Sequence, residues 1–192
     1  LEEALIRISD EATATIQLQP FELNPDMATE GQNMGEHLAE KYGITPTQSA
    51  INRETIRSRA SEFGFVMRLA DNDRVYNTFD AHRLIHWAGL QGKQLELKHI
   101  LFEMYFTNNR NTADHEVLIE AASLAGLDPE QASDVLTSRQ YSEEIRTEQA
   151  FWRSRGVSSV PSIIIDRKYL ISGGQPADVF EQALRAIARE RA

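Results

Sequence analysis

Strand-like patterning is confined to the two ends of this sequence, and residues 32–156 between them read as helix after helix. Near the start, Ile16 and Leu18 alternate with Thr15 and Gln17, the period of a half-buried strand, and Pro20 puts its far end at an edge or bulge. Near the end, "VPSIIID" and "KYLISGG" read as two strands joined by a tight turn at "DRK". A hairpin alone is marginal in water. The end strands are therefore expected to pair in one sheet, which makes the helices an insertion. One strand plus one hairpin is thin for so much helix, and a further strand upstream of Leu1 is expected to complete the layer.

The helical stretches carry their own punctuation. "LEEALIRISDEA" starts in helical phase with no capping residue before it, and Leu1, Leu5, Ile8 and Ala12 share one face. "NPDMATEGQN" is dense in turn residues and reads as a surface loop. "GEHLAEKYG" is a short helix closed by Gly43. Thr45, Pro46 and Gln48 make a capping box with proline at the first helical position, and Gly64 ends that helix. "FVMRLADNDRVYN" is extended or irregular. Apolar positions then recur at three and four: Leu84, Trp87 and Ala88; Leu97, Leu101 and Met104; Leu118, Ala121, Ala122 and Ala125. Asp128 caps a helix opening with Pro129, and "SEEIRTEQAFWRSRG" closes the set at Gly156. The last helix, "QPADVFEQALRAIARERA", buries Val179, Phe180, Ala183, Leu184 and Ile187.

Composition narrows the function. A net charge of −9 over 192 residues argues against a surface that tracks phosphates, so no nucleic-acid partner is expected. No apolar run approaches the roughly 20 residues that span a bilayer, so no membrane partner is expected either. There are no cysteines. The residues given therefore carry no thiol chemistry, iron–sulfur cluster or Cys-type zinc site.

Pro161 stands at the mouth of an isoleucine run, where a residue without an N–H is out of place in a central strand. X–Pro bonds take the cis form more readily than others. A cis bond between Val160 and Pro161 would turn the chain before the strand and leave the Val160 N–H and C=O facing outward. An extended peptide or a small thiol could pair with that short edge. Read without context, a trans proline opening an edge strand explains the same residues.

Six stretches, "PFELNPDMATEGQN", "EHLAEKYG", "YNTFDAHRLIHWAGLQGK", "DHEVLIEAASLAGLD", "GVSSVPSIIID" and "YLISGGQP", run over nearly the whole chain in order. In them the sequence resembles the DsbA-like thioredoxin-domain oxidoreductases of the FrnE type. That family is related in fold to 2-hydroxychromene-2-carboxylate isomerases and kappa-class glutathione transferases. The resemblance implies an α/β, thioredoxin-like fold with a large all-helical insertion, the α/β domain being 1–31 with 157–192 and the insertion 32–156. It implies a Cys-x-x-Cys pair between the first strand and first helix, which here falls upstream of Leu1, so no catalytic residue is expected among those given. It implies a cis proline at Pro161 facing that pair, with Val160 presenting substrate and Asn77, Thr78 and His82 lining the opposite side of the cleft. The implied activity is thiol–disulfide exchange or isomerisation on a disulfide-containing protein or a small thiol. No cofactor is implied, with glutathione admitted as a co-substrate, and the usual location of this branch is cytoplasmic. Two alternatives stay open. A serine in place of the dithiol would give a glutathione-dependent isomerase or transferase, and a genuine start at Leu1 would give a redox-inactive binding module. Oligomeric state is left open.

Other features have plainer readings. His82 and His86 have the spacing of two metal ligands on one helical face, but only Asp80 stands nearby as a third, so one buried and one rim histidine is the expectation. "SGGQP" could receive an anion at a helix start, and is expected to be a strand-to-helix turn needing positive φ. Phe102, Tyr105 and Phe106 are expected to pack in the core.

Overall fold

The computed structural model describes residues 1–70 and 72–191. Asp71, in the stretch read as extended, and Ala192, at the end of the last helical stretch, lie outside the described residues. The elements run α1 (Glu2–Arg7), β1 (Gln32–Asn33), α2 (Met34–Tyr42), α3 (Pro46–Glu62), β2 (Arg74–Val75), α4 (Phe79–Leu90) and α5 (Gln94–Phe102). A π-helical turn (Glu103–Thr107) continues α5. Then come α6 (His115–Leu124), α7 (Pro129–Thr137), α8 (Ser142–Ser154), β3 (Ser162–Ile165), β4 (Tyr169–Ser172) and α9 (Ala177–Arg191).

The helix ends follow the local chemistry. Thr45 Oγ1 accepts from the Gln48 N–H at 3.3 Å and Gln48 Oε1 accepts from the Thr45 N–H at 3.0 Å, the reciprocal pair that satisfies two orphan donors. Asp128 accepts from the Glu130 and Gln131 N–H groups ahead of Pro129. Gly43 closes α2 in the left-handed conformation at φ 65°. α1 is shorter than its apolar face: it ends at Arg7, and a turn in which the Glu11 and Ala12 N–H groups reach the Ile8 carbonyl keeps Ile8 and Ala12 on the buried side.

Two apolar clusters result. α4 to α7 bury Leu84, Trp87, Leu97, Leu118, Val135 and Leu136 in the core of the insertion. Ala4 and Ile8 of the first segment meet Phe180 and Leu184 of α9, with Ile163, Ile165 and Ile171 of the hairpin against them. The chain termini therefore do share one layer. β3 and β4 pair antiparallel in the register Ile163↔Ile171, turned by Asp166 and Arg167 at φ 56° and 57°.

Val179, read as buried on the last helix, is 40% exposed. Two expectations about strands also need correction. The stretch around Ile16 and Leu18 forms no strand: it carries no regular secondary structure and does not pair with the hairpin. Its peptide groups are met differently. The Leu18 N–H donates to Gln94 Oε1 at 2.9 Å, and Gln94 Nε2 donates to the Leu18 carbonyl at 3.2 Å. A side-chain amide thus does what a neighbouring strand would. The second correction is a small ladder inside stretches read as loop or irregular, where Gln32 pairs with Val75 and Asn33 with Arg74. Gly31 makes it possible: at φ +69°, a Cβ there would lie 2.3 Å from the Val75 carbonyl oxygen.

One charged group sits inside the insertion. Arg83 on α4 is 3% exposed. Its guanidinium donates to the carbonyls of Val135, Ser138 and Gln140 and pairs with Asp80 at 2.6 Å. It thereby satisfies carbonyls at the end of α7 and in the turn to α8, which have no partner within their own helix. Replacing Arg83 by Met should cost about 3–5 kcal/mol, because those carbonyls and Asp80 lose their charge-assisted partner. Arg83→Lys should lie between, since an ammonium cannot reproduce the fork. Urea unfolding midpoints at constant slope check both.

Candidate functional site

The Val160–Pro161 peptide is cis, and both residues are exposed at the entrance to β3. Pro161 is tied back by its carbonyl, which accepts from the Gly173 N–H at 2.8 Å, and Ser162 Oγ donates to the Ser159 carbonyl at 2.8 Å. The Val160 N–H and C=O find no hydrogen-bond partner among the described residues. β3 has a strand only on its β4 side among the described residues, and all four of its residues keep accessible surface. The fold therefore holds an open main-chain edge at one fixed place, its approach set by the bond to Gly173.

Asn77, Thr78 and His82 form a second group on the first turns of α4. Asn77 Oδ1 accepts from the Phe79 N–H at 2.9 Å and Nδ2 donates to the Met27 carbonyl at 3.2 Å. Thr78 is the N-cap by position but makes no side-chain cap bond, and its carbonyl accepts from the His82 N–H. Burial pushes the His82 imidazole down to about 4, against a smaller opposite pull from the Phe21 backbone, although part of its surface stays open. The polar atoms of the Asn77 side chain are thus engaged with Met27 and with the start of α4. No hydrogen bond or ion pair joins this group to Val160 or Pro161 among the described residues. His86 packs against Tyr141 with the rings tilted and their centroids 5.1 Å apart.

A third group escaped the sequence reading. Glu22 is 2% exposed and receives Arg146 Nη1 of α8 at 2.7 Å. Its main-chain carbonyl accepts from Arg153 Nη2 at 3.0 Å, and Trp152 Nε1 donates to Gln19 Oε1 at 3.2 Å. The Arg146 guanidinium lies 3.7 Å over the Phe79 ring, so α8 also touches α4 there. Two signals were available: an acid between two apolar residues in "PFEL", and Gln149 four residues after buried Ile145.

The other features resolve simply. Gly173 has φ +80° and Gln175 Nε2 donates to the Ser172 carbonyl, as a strand-to-helix turn requires. Phe102 departs from expectation: it is 47% exposed, because the π-helical turn that follows rotates the aromatic run so that Phe102 meets Phe106 edge-on at the surface.

A hairpin and two terminal helices, opened to admit a helical insertion and carrying a cis proline at the hairpin's mouth, define a thioredoxin-like α/β protein of the inserted type. A family model described as the DSBA-like thioredoxin domain matches residues 2–185. The chain is similar to a protein assigned as a DsbA oxidoreductase from Streptomyces coelicolor, with 32% identity and a TM-score of 0.91 over 100% of this chain and 82% of that one. A protein disulfide isomerase assignment from Nitrosomonas europaea shares the fold at 15% identity and a TM-score of 0.65, covering 82% of this chain and 89% of that one. No match was found among curated proteins. The chain belongs to the DsbA-like thioredoxin domain family, and its fold is the thioredoxin-like α/β layer with a helical insertion.

The His82 shift has a consequence for stability. An unfolded histidine titrates near 6.5, and the folded one near 4. Between those values the unfolded chain binds a proton that the folded chain does not, so stability is intact above about pH 6.5 and falls as pH drops towards 4. Burial also lowers His37, which adds in the same sense. Stability at pH 5 should lie about 2 kcal/mol below that at pH 7 from His82 alone. Carboxylates with lowered values act only below about pH 4.5. Urea midpoints across pH 5–7 should show this slope, and His82→Gln should flatten it.

Proposed function

We propose that the chain is the substrate-presenting and capping part of a thiol–disulfide oxidoreductase or isomerase of the DsbA/FrnE type. Its reactive dithiol is supplied by residues preceding Leu1, and its substrates are protein or small disulfides. The observation that carries the reading is the exposed Val160 main chain, without a partner among the described residues, at the mouth of β3. An extended substrate pairs there as a short added strand. In this reading Asn77, Thr78 and His82 form the facing wall, and Asn77 holds the Met27 carbonyl.

The chemistry is balanced between two sulfur pairs. A thiolate of the enzyme attacks one sulfur of the substrate disulfide, the other sulfur leaves as thiolate, and a mixed disulfide forms. The second enzyme thiolate attacks that bond and releases the substrate as a dithiol, leaving the enzyme oxidised. The reverse sequence oxidises a substrate dithiol. No resident cofactor enters, and glutathione serves as a small-thiol co-substrate. The reading places the protein in the cytoplasm.

The test is insulin reduction by dithiothreitol with the full-length protein. The reading predicts a Cys-x-x-Cys ahead of Leu1, faster precipitation than with dithiothreitol alone, and a trapped mixed disulfide when the second cysteine is replaced by serine. Failure to accelerate despite an intact dithiol would contradict it. A lone serine at that place would move the protein to the glutathione-dependent branch, and a start at Leu1 would leave a binding module.

A further inference from the structure

The open edge at Val160 lies in a basic stretch of an acidic chain. From Gln149 to Pro176 the sequence carries Arg153, Arg155, Arg167 and Lys168 against Asp166 alone, whereas the whole chain has a net charge of −9. Lys168 is bonded to the Tyr169 hydroxyl, and Arg167 stands with Asp166 in the turn at the far end of β3 from Val160. Arg153 and Arg155 stand at the near end, where α8 finishes, and both are exposed.

The arginines of α8 differ in what they meet. Arg146 is neutralised by the Glu22 carboxylate at 2.7 Å. Arg153 gives one N–H to the uncharged Glu22 main-chain carbonyl, and its guanidinium lies 5.4 Å from the centre of the Phe21 ring. Arg155 lies 5.2 Å from the centre of the exposed Phe151 ring. Neither Arg153 nor Arg155 pairs with a carboxylate among the described residues. A ring holds a guanidinium through its charge and leaves N–H donors for another partner. The planar fork of arginine takes a carboxylate with two parallel hydrogen bonds.

The edge and these charges are close along the chain. The Val157 N–H bonds the Trp152 carbonyl at 3.1 Å, so the chain folds back on the end of α8 before it runs to Val160. Those last three residues span at most about 11 Å, the length of about three residues of an extended substrate. A substrate strand that pairs at Val160 brings the side chains of its next few residues into the field of both guanidiniums. Resting on the substrate edge assigned above, we propose that Arg153 and Arg155 select disulfide-bearing peptides that carry a carboxylate a few residues from the disulfide. Both groups touch no reacting sulfur and act on substrate choice. Their effect has the size of exposed ion pairs, a few-fold each, and works largely through the rate of encounter.

Three synthetic peptide disulfides test the proposal, identical except for Glu, Gln or Lys three positions to either side of the cysteine. Each kcat/KM with the full-length protein is divided by the rate of dithiothreitol on the same peptide, which removes differences in intrinsic reactivity. The Glu peptide should exceed the Gln peptide about fivefold, with the Lys peptide lowest. The differences should shrink towards equality in about 1 M salt, where the Debye length is about 3 Å. Arg155→Glu should reverse the order of the Glu and Lys peptides, a result that poor folding does not imitate. Arg153→Gln combined with Arg155→Gln should bring the ratio of Glu to Gln peptide towards one. Equal values for the three peptides with the unaltered protein, or an order that both variants leave in place, would overturn the proposal. If the unaltered protein exchanges no disulfide on any peptide, the proposed function fails by itself. Binding of the same peptides with serine for cysteine, read by fluorescence anisotropy, then decides this inference: tighter binding of the Glu peptide supports it, and equal binding contradicts it.

Discussion

The segment from Leu18 to Glu22 has no strand beside it among the described residues, and side chains of the insertion hold it in place. Extended backbone must find partners for its N–H and C=O groups. Gln94 of α5 meets both groups of Leu18, and Arg153 of α8 meets the Glu22 carbonyl. Two helices of the insertion thus converge on five residues. Gly89 is part of the arrangement, since a Cβ there would sit 3.2 Å from the Gln94 amide nitrogen.

This clasp explains how a chain with two separate apolar clusters behaves as one structure. Neither cluster shares a residue with the other: the insertion packs around Leu84, Leu97 and Leu118, and the α/β layer around Ala4, Ile8 and Phe180. Apolar burial stabilises each part at roughly 1.5–3 kcal/mol per large side chain, but it does not fix their relation. Directional polar contacts do that, because a hydrogen bond fails within a few tenths of an ångström. The same contacts set the position of α8, which runs into the exposed Val160 edge. The site proposed for substrate is thereby tied to the insertion by geometry rather than by bulk packing.

Much of this was readable in the sequence wherever one residue type suffices for one local task. Thr45 with Gln48, Asp128 with Pro129 and Gly43 each solve a helix end within four residues, so their signatures are local. Pro161 also announced itself, since a proline before an isoleucine run has few explanations. The misreadings share a different cause. The period of Ile16 and Leu18 is that of a strand, yet the partner of Leu18 is a side chain 76 positions away. No local pattern encodes that pairing. Glu22 looks like a surface acid until Arg146, 124 positions on, is placed against it. Arg83 reads as an ordinary charged helical residue, and only the placement of α7 shows that it meets carbonyls in the interior. Asn77 bonds the Met27 carbonyl 50 positions back, a contact that no local pattern announces either. Long-range polar contacts, not apolar periodicity, are what the sequence hid.

The two tryptophans offer a direct measurement. Trp87 lies in the core of the insertion, and Trp152 hydrogen-bonds Gln19 at the clasp. Urea unfolding followed by fluorescence in Trp87→Phe and Trp152→Phe variants reports each location separately. If side chains of the insertion hold residues 18–22, the two curves coincide after correction for each substitution's own effect on stability. A Trp152 signal lost well before the Trp87 signal would show that the layer parts from the insertion by itself, and would contradict the account.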